Sequence, residues 1–260
     1  MATFFQVKTF IDYWLDAVDE HSLHSPFFFD LYTKVIRATS DEFQFDSIEN
    51  LRTQLLQDEK VIQRNSPGSE SQPIKNNSAA VSDIARTSIS TQKFLQLYNR
   101  IIRHFLVTNI VELGTSFGIS TLYLAEPGNT RITTFEGSPE IASIARLTFE
   151  LAQTKKVNLI EGNIDSTLQK NLESNSKIDL AFIDANHRYE PTMRYFNLLL
   201  SKTHGRSVII LDDIHYSEEM ERAWTDIQKN KLVYATADLY RCGLVFFDPS
   251  INKQHVVLQF

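Results

Sequence analysis

Two periodicities divide the chain. Phe4, Val7, Ile11, Trp14, Leu15 and Val18 recur at three- and four-residue spacing and predict an amphipathic helix with one buried stripe. Ser25 followed by Pro26 has the form of an N-cap and first helical position, opening a further helix through FFFDLYTKVI. Eight of the 18 phenylalanines fall in the first 63 residues, so 1–63 is expected to be a helical cap of two or three helices. From Arg64 to Ala79 the only large apolar residue is Ile74, too little to order the segment, and 64–80 is expected to be a flexible linker or lid.

Beyond it the pattern changes. Phe94, Leu97, Tyr98, Ile101, Ile102 and Phe105 predict one more amphipathic helix. Short apolar runs then alternate with helical segments: NIVEL (109–113), RITTFE (131–136), VNLIE (157–161), IDLAFID (178–184) and SVIILDD (207–213). β-branched runs with one helix between successive strands indicate a parallel sheet wound on both faces. After a helix near 217–229, LVYATADLY and CGLVFFD are joined too closely for anything but an antiparallel hairpin, and HVVLQF can add another strand. The expected fold of 81–260 is a Rossmann-like, doubly wound α/β domain with a mostly parallel seven-stranded sheet.

Composition narrows the function. With 26 basic and 32 acidic residues the net charge is −6, so no global basic field exists to hold a phosphate backbone, and nucleic acid is not the expected partner. No apolar run approaches a membrane span, and Lys8 interrupts the start where a signal peptide would be apolar. The single Cys242 cannot form an internal disulfide; a cytoplasmic enzyme is expected, possible as a homodimer, and Cys242 itself reads as core.

Ligands of open parallel α/β sheets sit beyond the carboxyl ends of the strands. The first strand ends VELGTSFGIST, giving Glu112, Gly114, Thr115 and Gly118, with Ser116 and Ile119 where a dinucleotide fingerprint wants glycines. Glu136 ends the second strand, 22 residues past Gly114, where a carboxylate can accept from both ribose hydroxyls; Ser138 and Pro139 start the next helix. Loop and acid together imply a nucleoside without a diphosphate. The third strand ends Glu161, Gly162, Asn163, Ile164 and Asp165, a polar tip that can frame a base edge, although Asp165 reads equally as a helix N-cap.

In order and spacing, VELGTSFGIST, TTFEGSPEIASIAR, LIEGNID, FIDANHRYE and VIILDDIH resemble the class I S-adenosylmethionine-dependent methyltransferases. The metal-assisted O-methyltransferases, with a first loop E-x-G-T-x-x-G, are the most similar group, and HSLHSPF resembles a group of bacterial methyltransferases. The resemblance covers about 105–260. It implies that Glu112, Gly114, Thr115, Gly118, Glu136 and Ser138 surround S-adenosylmethionine, with Asn163 and Ile164 near its adenine.

Asp184 ends the fourth strand, and Asp212 and Asp213 end the fifth. Adjacent strands lie about 4.8 Å apart, so these carboxylates can converge, and converging anions need a cation or a proton. All-oxygen ligation suits Mg²⁺ or a similar divalent ion; alternatively, the acids bond backbone amides. His187, three residues after Asp184, stands where many cation-dependent relatives have lysine, whereas some sugar and macrolide O-methyltransferases use a histidine there. An imidazole can take a hydroxyl proton near neutral pH; His215 can compete for that role, and His21 and His24 read as capping or lid residues. The expected activity is methyl transfer to a hydroxyl of a small molecule, with a metal and His187 as base. Rivals are a metal-independent N-methyltransferase, whose Asn/Asp-Pro-Pro-aromatic motif is absent after the fourth strand, a non-catalytic cofactor-binding module, and a dinucleotide oxidoreductase, which Ser116 argues against.

Overall fold

The computed structural model describes residues 3–38, 45–63, 78–174 and 177–260, so most of the expected linker lies outside the described residues. In chain order the first elements are helix α1 (Phe4–Asp16), a 3-10 turn (Glu20–Ser22), α2 (Pro26–Leu31) widening into a π-helical turn (Tyr32–Ile36), and α3 (Asp46–Gln57). Strands β1 (Val61–Gln63) and β2 (Ser78–Ala80), the latter inside the expected linker, precede helices α4 (Val81–Ser88) and α5 (Gln92–His104). The alternating part follows: β3 (Asn109–Leu113), α6 (Ile119–Ala125), β4 (Arg131–Glu136), α7 (Pro139–Leu151), β5 (Val157–Glu161), α8 (Ile164–Ser174), β6 (Leu180–Ile183), α9 (Tyr189–Leu200) and β7 (Val208–Asp212). It closes with α10 (Glu218–Gln228), β8 (Ala235–Asp238), β9 (Cys242–Phe246) and β10 (Gln254–Val257). One helix between successive parallel strands makes this the predicted Rossmann-like α/β fold.

The chain forms two compact units, Ser40–Asn175 and Met1–Thr39 with Ser176–Phe260, a division other than the one the composition suggests. In the first, β3, β4 and β5 are parallel and in sequence order, with Glu112 opposite Thr134 and Glu136 opposite Glu161. Helix α6 is buried along its whole length, Ser120 and Thr121 included. The Tyr123 ring stacks on Phe45 at 4.4 Å while its hydroxyl donates to Glu49 Oε1 at 2.7 Å, fastening α3 to α6. Strands β1 and β2 pair antiparallel on their own.

The second unit orders its strands β10-β8-β9-β7-β6. Strands β6 and β7 are parallel and fully buried, β9 runs antiparallel to both β7 and β8, and β10 is parallel to β8. Strand β10 is the one beyond the seven expected.

Helix α1 departs from expectation. It starts on a capping box in which Thr3 and Gln6 exchange hydrogen bonds. Its apolar stripe nevertheless faces outward: Phe4 is 86% exposed, and Trp14 and Leu15 are each 67% exposed. The contacts that hold the helix come from its other side. Tyr13 donates to the Leu258 carbonyl at 2.7 Å, Gln6 Nε2 donates to the Tyr216 carbonyl at 3.2 Å, and Phe10 packs edge-on against Tyr240. Ser25 stands at the predicted N-cap with Pro26 after it, but its hydroxyl makes no cap bond and accepts from Gln254 Nε2 at 2.9 Å.

Trp224 of α10 lies flat on β9 because Gly243 has no side chain: a Cβ there would stand 2.5 Å from the indole ring. Gly243→Ala is expected to cost about 1–3 kcal/mol by overpacking. Urea unfolding should show that penalty shrinking in a Trp224→Leu background, where the ring is gone.

Candidate active site

The loop after β3 folds over the end of β4. The backbone N–H groups of Gly114 and Thr115 both donate to the Phe135 carbonyl at 3.1 Å, and the Thr115 hydroxyl meets that of Thr134 at 2.6 Å. Gly114 (φ +101°) and Gly118 (φ +85°) take left-handed backbone, and so does Ser116 (φ +49°) between them. A Cβ on Gly118 would also stand 2.5 Å from the Phe149 ring of α7, so two independent constraints require glycine there.

Glu136 ties this loop to the next. One carboxylate oxygen accepts from the Ser116 N–H at 3.0 Å and the other from the Ser138 N–H at 2.9 Å. Burial raises the Glu136 pKa above the ordinary carboxylate value, and the backbone donors at Ser138, Ser116 and Gly137 oppose that rise. Each oxygen retains lone-pair capacity for a ligand hydroxyl. Glu112 is wholly buried. Its Oε2 accepts from Thr121 at 2.6 Å, while its Oε1 has no hydrogen-bond partner among the described residues, and burial pushes its pKa up to about 7. The buried Ser138 hydroxyl is likewise without a partner. Two orphaned polar atoms beside a glycine loop and a strand-end carboxylate form a cradle for a polar ligand. At the tip of β5 the cap of α8 is Asn163, not Asp165: Asn163 Oδ1 accepts from the Asp165 N–H at 2.9 Å. Ile164 is buried.

The other candidate residues lie in the second unit. His187 Nε2 stands 3.4 Å from Asp184 Oδ1, and its Nδ1 stands 4.0 Å from Asp213 Oδ2. Asp212, 1% exposed, is held by Arg241, whose Nη2 donates to Oδ2 at 3.1 Å and whose Nε donates to Oδ1 at 3.4 Å. Arg241 Nε also lies 3.9 Å from Asp213 Oδ1. The Asp213 carboxyl is raised above its usual range by burial first and then by Asp212, against the opposing pull of His187 and Arg241. Asn186, His187, Asp213 and Tyr240 all have positive φ, and strain of this kind persists where surrounding contacts over-determine it. His215 is committed elsewhere: its Nε2 bonds Asp238 Oδ2 at 2.8 Å, its ring stacks on Tyr240, and its Nδ1 is 3.6 Å from Glu221.

These residues do not fit the expected divalent ion. Among the described residues no three carboxylate, imidazole or thiol groups are disposed to hold a metal. A guanidinium spans both oxygens of Asp212, and His187 lies beside both Asp184 and Asp213. A divalent ion at Asp184, Asp212 and Asp213 is therefore not shown. Spacing along the chain brings three acids together but does not show which cation meets them.

Residues 111–214 match a family described as a methyltransferase domain. Over 144 residues the chain is 33% identical to a catechol O-methyltransferase from Niastella koreensis, a match that takes in 53% of this chain. The chain spans 63% of the length of that relative. A putative O-methyltransferase from Klebsiella pneumoniae has the same fold, with a TM-score of 0.57 at 17% identity over 84% of this chain and 96% of that one. An O-methyltransferase from Bacillus cereus, solved in complex with SAH, gives a TM-score of 0.56 at 20% identity over 83% and 94%. Residues 111–214 are thus similar to a methyltransferase domain, and the fold is that of the solved O-methyltransferases.

In the first unit the structure gathers Glu112, Gly114, Thr115, Gly118, Glu136 and Ser138 around one loop, and in the second it gathers Asp184, His187, Asp212 and Asp213 around strand ends. Sequence reading missed Arg241. Its signal is the register of the antiparallel pair, which sets Asp212 opposite Cys242, the residue after Arg241. Thr121, nine residues past Glu112, was missed too, as was Phe149 against Gly118.

The raised Glu112 pKa has a consequence for stability. An acid harder to ionise when folded stabilises the fold below the unfolded pKa near 4.5 and loses that contribution as pH rises toward about 7. Glu112→Gln should therefore be more stable than the wild type at pH 8 by about 2–3 kcal/mol, since each tenfold change in proton affinity is worth about 1.4 kcal/mol. Near pH 4.5 the advantage should vanish. Urea titrations at both pH values check this; an equal difference at each would show a carboxyl that titrates normally.

Proposed function

We propose that this chain transfers a methyl group from S-adenosylmethionine to a hydroxyl oxygen of a small molecule, catechols being the first class to try. The observation that carries the reading is the cradle at the ends of β3 and β4, with two buried polar atoms that lack partners beside a carboxylate already aligned by two backbone donors. A neutral nucleoside fits it better than a diphosphate does, because Ser116 places a side chain where a pyrophosphate needs bare backbone. The identity to a catechol O-methyltransferase supports the oxygen acceptor.

When bound, S-adenosylmethionine supplies a methyl group already activated by its sulfonium, so the protein's task is chiefly positioning and proton removal. Glu136 accepts from the ribose hydroxyls, while Glu112 Oε1 and the Ser138 hydroxyl meet the remaining polar groups. His187 takes the acceptor's proton at Nδ1. Asp184, 3.4 Å from Nε2, orients the ring and stabilises the imidazolium that results.

Calorimetry should show S-adenosylhomocysteine binding that Glu136→Ala weakens by about 1.5–3 kcal/mol, the scale of hydrogen bonds to a charged group. Unchanged affinity, or tighter binding of NAD, would remove the cofactor assignment. With a catechol acceptor in hand, His187→Ala should lower kcat by about 10²–10⁴ and leave the S-adenosylhomocysteine Kd unchanged, whereas His215→Ala should be much less impaired.

A further inference from the structure

We infer that the outward face of α1 is a docking surface for a second copy of this chain, and that two copies pair their α1 helices antiparallel in a twofold dimer. This association is separate from methyl transfer and holds whichever acceptor is used.

Phe4, Val7, Ile11 and Trp14 alternate three- and four-residue steps, the a and d positions of a heptad, which form the seam where one helix packs along another. Leu15 and Phe10 flank that seam at e and g. The seam is turned away from the body of the protein. Thr9, at the f position opposite it, is the buried residue of α1, and Gln6 and Tyr13, both at c, make the bonds that anchor the helix to Tyr216 and Leu258. The six apolar side chains are each about half exposed or more, and with about 150–250 Å² on each aromatic they present roughly 700 Å² together. The largest apolar patch of an ordinary monomer is about 300–600 Å², whereas a stable interface buries about 800 Å² on each partner. With its polar rim the face of α1 reaches the second figure.

The seam is complementary to itself. Run antiparallel, the a positions of one helix meet the d positions of the other, which sets Phe4 opposite Trp14 and Val7 opposite Ile11. Large rings then close both ends, and β-branched side chains fill the middle. Charge argues against a lipid surface as the occupant. Helices that lie on membranes carry Lys and Arg along the polar face, whereas Lys8 is already paired with Asp12 at 2.8 Å, and Asp16, Asp19 and Glu20 follow with no basic residue between them.

The test is sedimentation velocity on the full chain over about 1–100 µM, read together with tryptophan emission. The wild type should sediment at twice the 29.9 kDa of one chain. Its emission should move to shorter wavelength as concentration rises, because Trp14 passes from exposed to enclosed while Trp224 is buried throughout. Ile11→Glu and Trp14→Glu should each weaken the dimer by about thirtyfold or more, the scale of an interface hot spot. Both side chains point away from the core, so circular dichroism and Tm of the monomeric variants should match the wild type. Leu232→Glu, at an exposed leucine elsewhere in the same unit, should leave the dimer intact. A dimer that neither α1 substitution weakens would overturn the inference. So would a wild type that stays monomeric at about 100 µM, and binding of that monomer to phosphatidylserine vesicles would give the face to lipid instead.

Discussion

A carboxyl group shut away from water at the end of a strand needs a cation or strong donors beside it, and Asp212 places that demand on the second unit. Arg241 answers it, and to do so the connection between β8 and β9 must turn tightly enough to bring a guanidinium back over the end of β7. The turn sets Tyr240, and Tyr240 in turn organises what lies around it. Its hydroxyl donates to the Gln6 carbonyl at 2.9 Å, while its ring meets Phe10, Tyr13 and His215. Helix α1 is therefore held by a side chain whose position follows from an ion pair. This explains why the helix is anchored through Gln6, Phe10 and Tyr13 rather than through its most apolar residues.

The first unit meets the same problem differently. Glu112 is as deeply enclosed as Asp212; Thr121 donates to it, and a proton becomes the simplest way to stay buried. Glu136 lies between these extremes, half-buried and bonded to backbone donors. One sheet architecture thus holds three strand-end acids by three means: a guanidinium, a proton and backbone amides.

The strands were legible because short apolar runs alternating with helical segments mark a parallel sheet, and NIVEL, RITTFE and VNLIE became β3, β4 and β5 with the same bounds. The acids and glycines at their ends were legible because parallel strands all point their carboxyl ends one way. What spacing could not carry was partnership. The stripe of α1 is visible as periodicity, yet periodicity marks a face without saying what that face meets, and here it meets no core. Arg241 belongs to Asp212 through strand pairing across 29 residues, and three acids in sequence look the same whether a metal or a guanidinium balances them. Asn163 reads in the sequence as a base contact, although its side-chain oxygen is already engaged at the helix start, a local competition that Asn resolves in favour of capping.

Gly118 bears on how this chain can vary over generations. Its left-handed backbone and its contact with Phe149 exclude a side chain for unrelated reasons, one belonging to the loop and one to the packing of α6 against α7. A smaller residue at 149 would relieve the crowding yet leave the backbone penalty, and a reshaped loop would do the reverse. No single accompanying change opens the position. Among descendants of this sequence, 149 is free to drift while 118 is not, so the two neighbours in space need not covary, and a search for correlated substitutions would overlook one of the tightest contacts in the loop.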